Sequence, residues 1–182
     1  MTYQGVLGRI REDSKRKVLA AWSLYGKGYI DRPRFEQLAA AILGQAGEQA
    51  ASTADLAVSF EVTRVNKRLE ALQGVDAAKK RETYLDSIRT VLDGDGDVLM
   101  QLERLSLNAP LDAAQNAYSA ALAGSSAQGW VRQMDADPCQ LCRWWWREGR
   151  VWPADHAMPH HSGCECVPRV VTVATPPREV SY

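Results

Sequence analysis

Apolar residues recur at intervals of three and four over roughly the first 127 positions, a spacing typical of one face of an α-helix. Val18, Trp22 and Tyr25 share such a face in a helix predicted over about residues 13–25. After the break "GKGYIDRP", Asp31 is predicted to cap the next helix, with Pro33 in its first turn. The apolar positions of that helix are Phe35, Leu38, Ala39, Ile42 and Leu43.

A second apolar stripe steps alternately by four and three residues, and it has two interpretations. It is typical of an ordinary core face and also of a helix that packs against another subunit. Gly74 is predicted to end this helix, and further helices are predicted over roughly residues 77–92, 98–105 and 110–123. The stripe residues are Val58, Val62, Val65, Leu69 and Leu72, and those of the last helix are Leu111, Ala114, Tyr118 and Leu122.

The pattern changes after the segment "AGSSAQG", which is typical of a linker. From Gly129 onward the chain is rich in Trp, Pro, Cys and His, and its short apolar runs predict short strands and loops. The predicted fold is mainly α: a helical region over 1–127, then a small zinc-stabilised α+β module over 128–175. Residues 176–182 are predicted to form a tail, because their prolines and charges cannot build a core.

Composition excludes several classes of protein. Lysine plus arginine equals aspartate plus glutamate, at 22 each, so net charge gives no sign of strong non-specific binding to DNA or membranes. No apolar stretch is long enough to span a membrane, and the first residues lack the apolar core of a secretory signal. We therefore expect a protein made in a reducing compartment, where clustered cysteines serve as metal ligands more often than as disulfides.

All four cysteines and all three histidines lie between residues 139 and 166. Their order is C-x2-C, then H-x2-C-x-C, and Zn²⁺ prefers four tetrahedral sulfur and nitrogen ligands. The predicted ligands are Cys139, Cys142, His161 and Cys164, with Cys166 as the alternative fourth. Free reduced cysteines or a disulfide are the other interpretations. A module with so small a core needs additional stabilisation, and metal binding can supply the missing folding free energy.

Tryptophans crowd the same window, and they cannot all face one small core. Trp144, Trp145, Trp146 and Trp152 are predicted to form an interaction surface. The alternative is that they are buried at the interface between the module and the helical region. Stacking on single-stranded nucleic acid is a third interpretation, although basic residues are sparse here.

The remaining motifs say less about function than the Cys/His window does. The segment "DGDGD" is not an EF-hand loop, because Val98 and Arg104 stand where that loop needs its glycine and its bidentate acid. No glycine-rich phosphate loop and no G-x-S-x-G elbow is present. "ADHAMPHHSG" is similar to the D-H-x-x-P segment of HNH-type nucleases, with Asp155 and His156 in the metal and base positions. No later Asn and His follow Cys166, as that family requires.

Residues 134–173 resemble the phage Mu protein F-like minor head proteins. That family shows an aspartate-containing lead-in, C-x2-C, a short G-K/R-V-F/W element, then H-x2-C-x-C and an apolar strand. Here these read "DADPCQLC", "EGRVWP", "HSGCEC" and "VPRVVTV". Ser162 and Glu165 depart from the usual proline and basic residue. The earlier residues match the family in helical character alone.

The resemblance implies a head-morphogenesis protein of a tailed phage, made in the host cytoplasm and located in the virion, at the portal or the inner capsid wall. The implied partners are the portal protein, the major capsid protein and, by contact, the packaged DNA, with an oligomeric state in the virion. By the resemblance, the five ligand candidates occupy the positions of the family's Cys/His cluster, and Gly149 occupies the position of its turn glycine. The H-S-G-C form resembles a variant often labelled a capsid maturation protease, although no protease motif is present.

Overall fold

The computed structural model describes residues 2–75 and 79–172, so the predicted tail lies outside the described residues. Long helices followed by a small antiparallel sheet confirm the predicted fold class. In the described part of the chain, no helix is both long and apolar enough to cross a membrane. The elements are α1 (Tyr3–Gly26), α2 (Arg32–Asn66), α3 (Arg81–Asp93), α4 (Val98–Gly124), β1 (Gly129–Gln133), α5 (Gln140–Trp146), a 3-10 turn (Arg147–Gly149), β2 (Trp152–Pro153) and β3 (Val167–Val171).

The chain forms two compact units. The first comprises Met1–Thr53 and Asp76–Ala114, and the second comprises Ala54–Val75 and Gln115–Tyr182. Helices α2 and α4 each contribute residues to both units. The predicted boundary after residue 127 marks the change from helix to sheet, and as a limit of independent folding it stays a prediction.

The first unit has an apolar core built from the predicted helical stripes. Phe35, Ala39 and Leu43 of α2 are fully buried and meet Val18 of α1 and Ile88 of α3. Asp31 caps α2 as predicted, since its carboxylate accepts a hydrogen bond from the Arg34 N–H at 2.9 Å. The aromatic rings of Trp22, Tyr25 and Phe35 lie with centroids 5.3–5.7 Å apart, in contact with this core.

An ionic link ties α2 to α3 in the same unit. The buried Glu36 carboxylate accepts hydrogen bonds from Arg32 Nε at 2.8 Å and from Arg89 Nε at 3.0 Å. The Arg32 hydrogen bond is the main reason why the pKa of Glu36 lies below its ordinary value. This carboxylate is therefore charged and fully paired in the folded protein.

Helix α2 ends earlier than predicted. It stops at Asn66, and Lys67 turns the chain with a left-handed φ of 59°. Val58 and Val62 are fully buried, but Leu69 and Leu72 are 95% and 59% exposed, so the predicted stripe ends before Leu69. The core-face interpretation holds for the first two stripe residues, and the structure leaves packing against another subunit untested.

Polar side chains of α2 hold the segment after Asn66. The Asp55 carboxylate accepts hydrogen bonds from the N–H groups of Gln73 at 3.0 Å and Gly74 at 2.8 Å. The Thr63 hydroxyl accepts one from the Glu70 N–H at 3.0 Å. These bonds satisfy backbone groups that a longer helix would have used, and they fold the chain back along α2.

Helix α4 is continuous where two helices were predicted, and Pro110 lies inside it. A proline in a helix interior costs about 3 kcal/mol, because it removes one hydrogen bond and crowds the preceding turn. Leu102 and Leu111, on either side, are at most 1% exposed, and burying each contributes about 1.5–3 kcal/mol. The burial of these leucines therefore offsets the free-energy cost of the proline.

The "DGDGD" segment before α4 is a turn, as expected. Asp97 caps the helix, since its carboxylate accepts a hydrogen bond from the Met100 N–H at 3.0 Å.

The second unit contains the three-stranded sheet, in the order β2-β1-β3 and antiparallel throughout. Trp130 and Arg132 of β1 face the same side as Val170 and Pro168 of β3, and all four are buried. The N–H of Val170 points away from β1 and donates to the Glu61 carboxylate of α2 at 3.1 Å. The same carboxylate accepts a hydrogen bond from the Tyr118 hydroxyl at 3.2 Å.

Candidate metal centre

Helix α5 positions the first pair of cysteines. Cys139 is its N-cap, and its sulfur accepts a hydrogen bond from the Cys142 N–H at 3.5 Å. A helix begins with free N–H groups, so a residue at the N-cap turns its side chain towards that first turn. Both thiols therefore face the same side of α5, with Cys142 buried and Cys139 exposed.

A tight turn positions the second group of ligands. The Cys164 N–H donates to the His161 carbonyl at 3.0 Å, and Gly163 has a left-handed φ of 79° that glycine adopts without strain. The Gln115 side-chain amide donates to the Cys164 carbonyl at 2.5 Å, which holds this turn against α4. The turn brings His161 and Cys164 to the same place as the α5 cysteines.

The ligand atoms are in direct contact. His161 Nε2 lies 3.1 Å from Cys139 Sγ and 3.3 Å from Cys142 Sγ, and Cys142 Sγ lies 3.4 Å from Cys164 Sγ. A tetrahedral zinc site has about 3.6 Å between sulfur and nitrogen and about 3.8 Å between sulfurs, from its usual bond lengths. The cluster would accept such an ion after an expansion of a few tenths of an ångström.

The imidazole of His161 has the tautomer that metal binding requires. Its Nδ1 lies 3.0 Å from the Ser162 carbonyl oxygen, which can only accept a hydrogen bond. Nδ1 therefore carries the proton, and the lone pair of Nε2 faces the sulfurs of Cys139 and Cys142. Backbone carbonyls orient metal-binding histidines in this way in many metalloproteins.

Two overlapping groups of ligand atoms share Cys142. Cys139, Cys142 and His161 form one group, and Cys142, Cys164 and Cys166 form the other, with all atoms of a group within 4.8 Å of one another. The Cys166 thiol also donates a hydrogen bond to Asp135 Oδ2 at 3.6 Å. The predicted ligand candidates therefore lie together, and Cys166 has a partner of its own. All four cysteines are free thiols, so none forms a disulfide.

The surroundings of the four thiols shift their pKa values in opposite directions. The hydrogen bond from the Cys142 N–H lowers the pKa of Cys139, and the hydrogen bond from Cys166 lowers that of Cys164. Burial raises the pKa of Cys142 to about 12, and the hydrogen bond with Cys164, together with burial, raises that of Cys166. Cys139 and Cys164 are therefore the thiols that lose their protons most easily, and a metal ion would displace the proton of Cys142 on binding.

Two neighbours of the cluster were not predicted from the sequence. Arg132 is 3% exposed, and its Nη1 lies 4.0 Å from Cys164 Sγ. Asp135 contacts Cys166, and its place in the "DADPC" lead-in was the one available signal. Nothing in the sequence separates Arg132 from the other arginines, because its burial depends on the pairing of β1 with β3.

The tryptophans divide into two groups. Trp144 and Trp146 are 60% and 36% exposed, and with Met134, Pro138 and Arg143 they line an open surface cavity of about 710 Å³. Trp145 instead turns towards the Cys/His cluster, with its ring centroid 6.1 Å from that of His161. Trp152 stacks on His156 at 4.4 Å. The predicted interaction surface of Trp144, Trp145, Trp146 and Trp152 stays a prediction.

Three successive residues after α5 adopt left-handed backbone conformations. Arg147 and Glu148 have φ values of 49° and 56°, and Gly149 has 78°. Such angles cost a non-glycine residue about 1–2 kcal/mol. The turn directs the chain from α5 into β2, and Gly149 is its last left-handed residue.

The nuclease-like residues do not come together in the described part of the chain. Neither Asp155 nor His156 belongs to a group of three or more ligand atoms there. His156 lies on the Trp152 ring, and its carbonyl accepts a hydrogen bond from Trp130 Nε1 at 2.9 Å. The Cys/His cluster is thus the best-built site among the described residues. No family model, curated protein or solved structure matches the chain, so the interpretation of this site rests on its own geometry.

Proposed function

We propose that the cluster is a structural zinc site that stabilises the C-terminal part of a phage minor head protein of the Mu protein F-like type. The single observation that carries the proposal is the meeting of the C-x2-C and H-x2-C-x-C halves. The 18 residues that separate Cys142 from His161 in the sequence leave their ligand atoms 3.3 Å apart. The same halves, in the same order, carry the resemblance to that family.

Zinc is the metal that fits this donor set best. Thiolates and a neutral imidazole suit zinc, whereas calcium and magnesium require oxygen ligands. Cys139, Cys142, His161 and Cys164 would hold the ion, and Cys166 would remain a thiol bound to Asp135. Four protein ligands leave no open position for a water or a substrate, which is the arrangement of structural sites and not of catalytic ones.

A role in head assembly follows from the resemblance together with the form of the module. A closed metal site stabilises a fold and supplies no nucleophile. The exposed rings of Trp144 and Trp146 offer a surface to a partner, for which the portal protein or the major capsid protein is the candidate. We place the protein in the virion, at the portal vertex or the inner capsid wall, in contact with packaged DNA.

Two measurements test the proposal separately. Elemental analysis of the purified protein should give one zinc per chain, and a metal-free preparation that binds no added zinc would remove the site. Mass spectrometry of procapsids and mature particles of the encoding phage should detect the chain. Its absence from both would remove the head-protein role and leave the zinc site standing.

Co-expression with the major capsid protein tests the remaining activities. The capsid chain should keep its length, and a plasmid substrate should stay intact with magnesium. Shortening of the capsid chain would favour a maturation protease. Cleavage of DNA that a His156→Ala variant loses would favour a nuclease.

A further inference from the structure

Arg132 is a buried charge whose contacts include no acid. Its Nη2 donates to the Pro159 carbonyl, its Nη1 lies 4.0 Å from Cys164 Sγ, and its guanidinium lies 5.4 Å above the Trp145 ring. Among residues 2–75 and 79–172, no carboxylate lies within ion-pair distance of it. An unpaired buried charge is strongly destabilising, so a compensating charge is required close by.

The metal centre can supply that charge. Three thiolates carry a total of −3, a neutral imidazole carries none, and Zn²⁺ carries +2, so the centre has a net charge of −1. The Arg132 guanidinium carries +1 and faces one of the three sulfurs. The charges cancel for any ligand set with three thiolates and one neutral imidazole, which includes the proposed one.

We infer that Arg132 is the counter-charge of the zinc–thiolate centre, a positioning residue that strengthens zinc binding through its contact with Cys164. The inference rests on the proposed zinc site. With zinc bound, the guanidinium is paired with a negative centre. Arg132 therefore stabilises the zinc-bound form of the module through its contact with Cys164.

Dependence on charge separates the inference from a packing role. Arg132→Met fills a similar volume without charge, whereas Arg132→Lys keeps the charge. We expect the variant to bind zinc about 10–100-fold more weakly, the usual effect of losing an outer partner of a metal site. The same zinc concentration should therefore raise its unfolding temperature by less than it raises that of the natural protein.

The experiment measures zinc affinity by competition with a chromophoric chelator, and thermal unfolding with and without zinc, on the full chain. Arg169→Met is the control, because Arg169 is exposed on β3 opposite Val131, and it should leave both quantities unchanged. Arg132→Lys keeps the charge and should bind zinc within a few-fold of the natural protein.

Distinct results overturn the inference and the zinc site. Unchanged zinc affinity in Arg132→Met, or an equal loss of zinc affinity in Arg132→Lys, would show that the charge of Arg132 has no role at the centre. If Arg132→Met does not fold, Arg132→Lys and Arg132→Gln replace it, and equal zinc affinities for that pair would again refute the inference. A natural protein that binds no zinc would instead remove the proposed site itself.

Discussion

Cys142 is the one sulfur that lies in both groups of ligand atoms, so a Cys142→Ser variant tests the ligand set directly. Zinc binding to a structural site with four ligands contributes about 10–16 kcal/mol. An equal share for each ligand is about 2.5–4 kcal/mol, and each 1.4 kcal/mol is tenfold in affinity. The variant should therefore bind zinc about 60–700-fold more weakly than the natural protein.

Cys166→Ser is the matched control for this prediction. It makes the same chemical change at the cysteine that the proposed ligand set leaves as a thiol, and a serine hydroxyl can still donate to Asp135. Its zinc affinity should stay within about threefold of the natural value, since no ligand is lost. Competition with a chelator gives both affinities. Far-ultraviolet circular dichroism after zinc removal should keep most of the helical signal, because the first unit has its own core.

Two results would refute the reasoning behind this pair. Equal loss of zinc affinity in both variants would make Cys166 a ligand and exclude the three-thiolate set. Full zinc affinity in Cys142→Ser would show that the ion binds elsewhere or that the cluster consists of packed free thiols.

Four further substitutions test the packing, charge and backbone conformation described above. Glu36→Gln should lower the free energy of unfolding by about 1.5–3 kcal/mol near neutral pH. Since the folded-state pKa of Glu36 lies below its ordinary value of 4.5, this difference should fade as the pH falls through the folded pKa, which denaturant unfolding at several pH values would detect. Trp130→Ala should cost the zinc-bound protein about 3–5 kcal/mol, because that side chain is 1% exposed, whereas Trp144→Ala should stay within about 0.5 kcal/mol. Gly149→Ala should cost about 1–2 kcal/mol in the same unfolding assay, since φ is 78° there, and an unchanged stability would contradict that backbone conformation.

The helical positions were predictable where periodicity and capping agree. Asp31 with Pro33 marked the start of α2, and the stripe through Phe35 and Leu43 marked its buried face. The end of α2 was not predictable, because the stripe continues in the sequence past Asn66. What ends the helix is the capture of later backbone groups by Asp55 and Thr63, a tertiary effect that periodicity does not contain.

The ligand candidates were predictable from spacing, since few residue types bind soft metals and all of them lie in one window. The surroundings of the cluster were not. Arg132 lies seven residues before Cys139 and reaches Cys164 only because β1 pairs with β3. The sequence does not show whether a given arginine will be buried. Arg132 could therefore be identified as a neighbour of the cluster only from the strand pairing in the sheet.

The edges of the small sheet limit how the protein can assemble. Pro153 on β2 and Pro168 on β3 have no N–H to offer, and Glu61 already binds the outward N–H of Val170. Within the described strands, neither edge presents a free donor to a strand from another chain. The described strands therefore offer no donor through which copies could join edge to edge into a growing ribbon. A chain that binds these strands would have to contact their side chains instead.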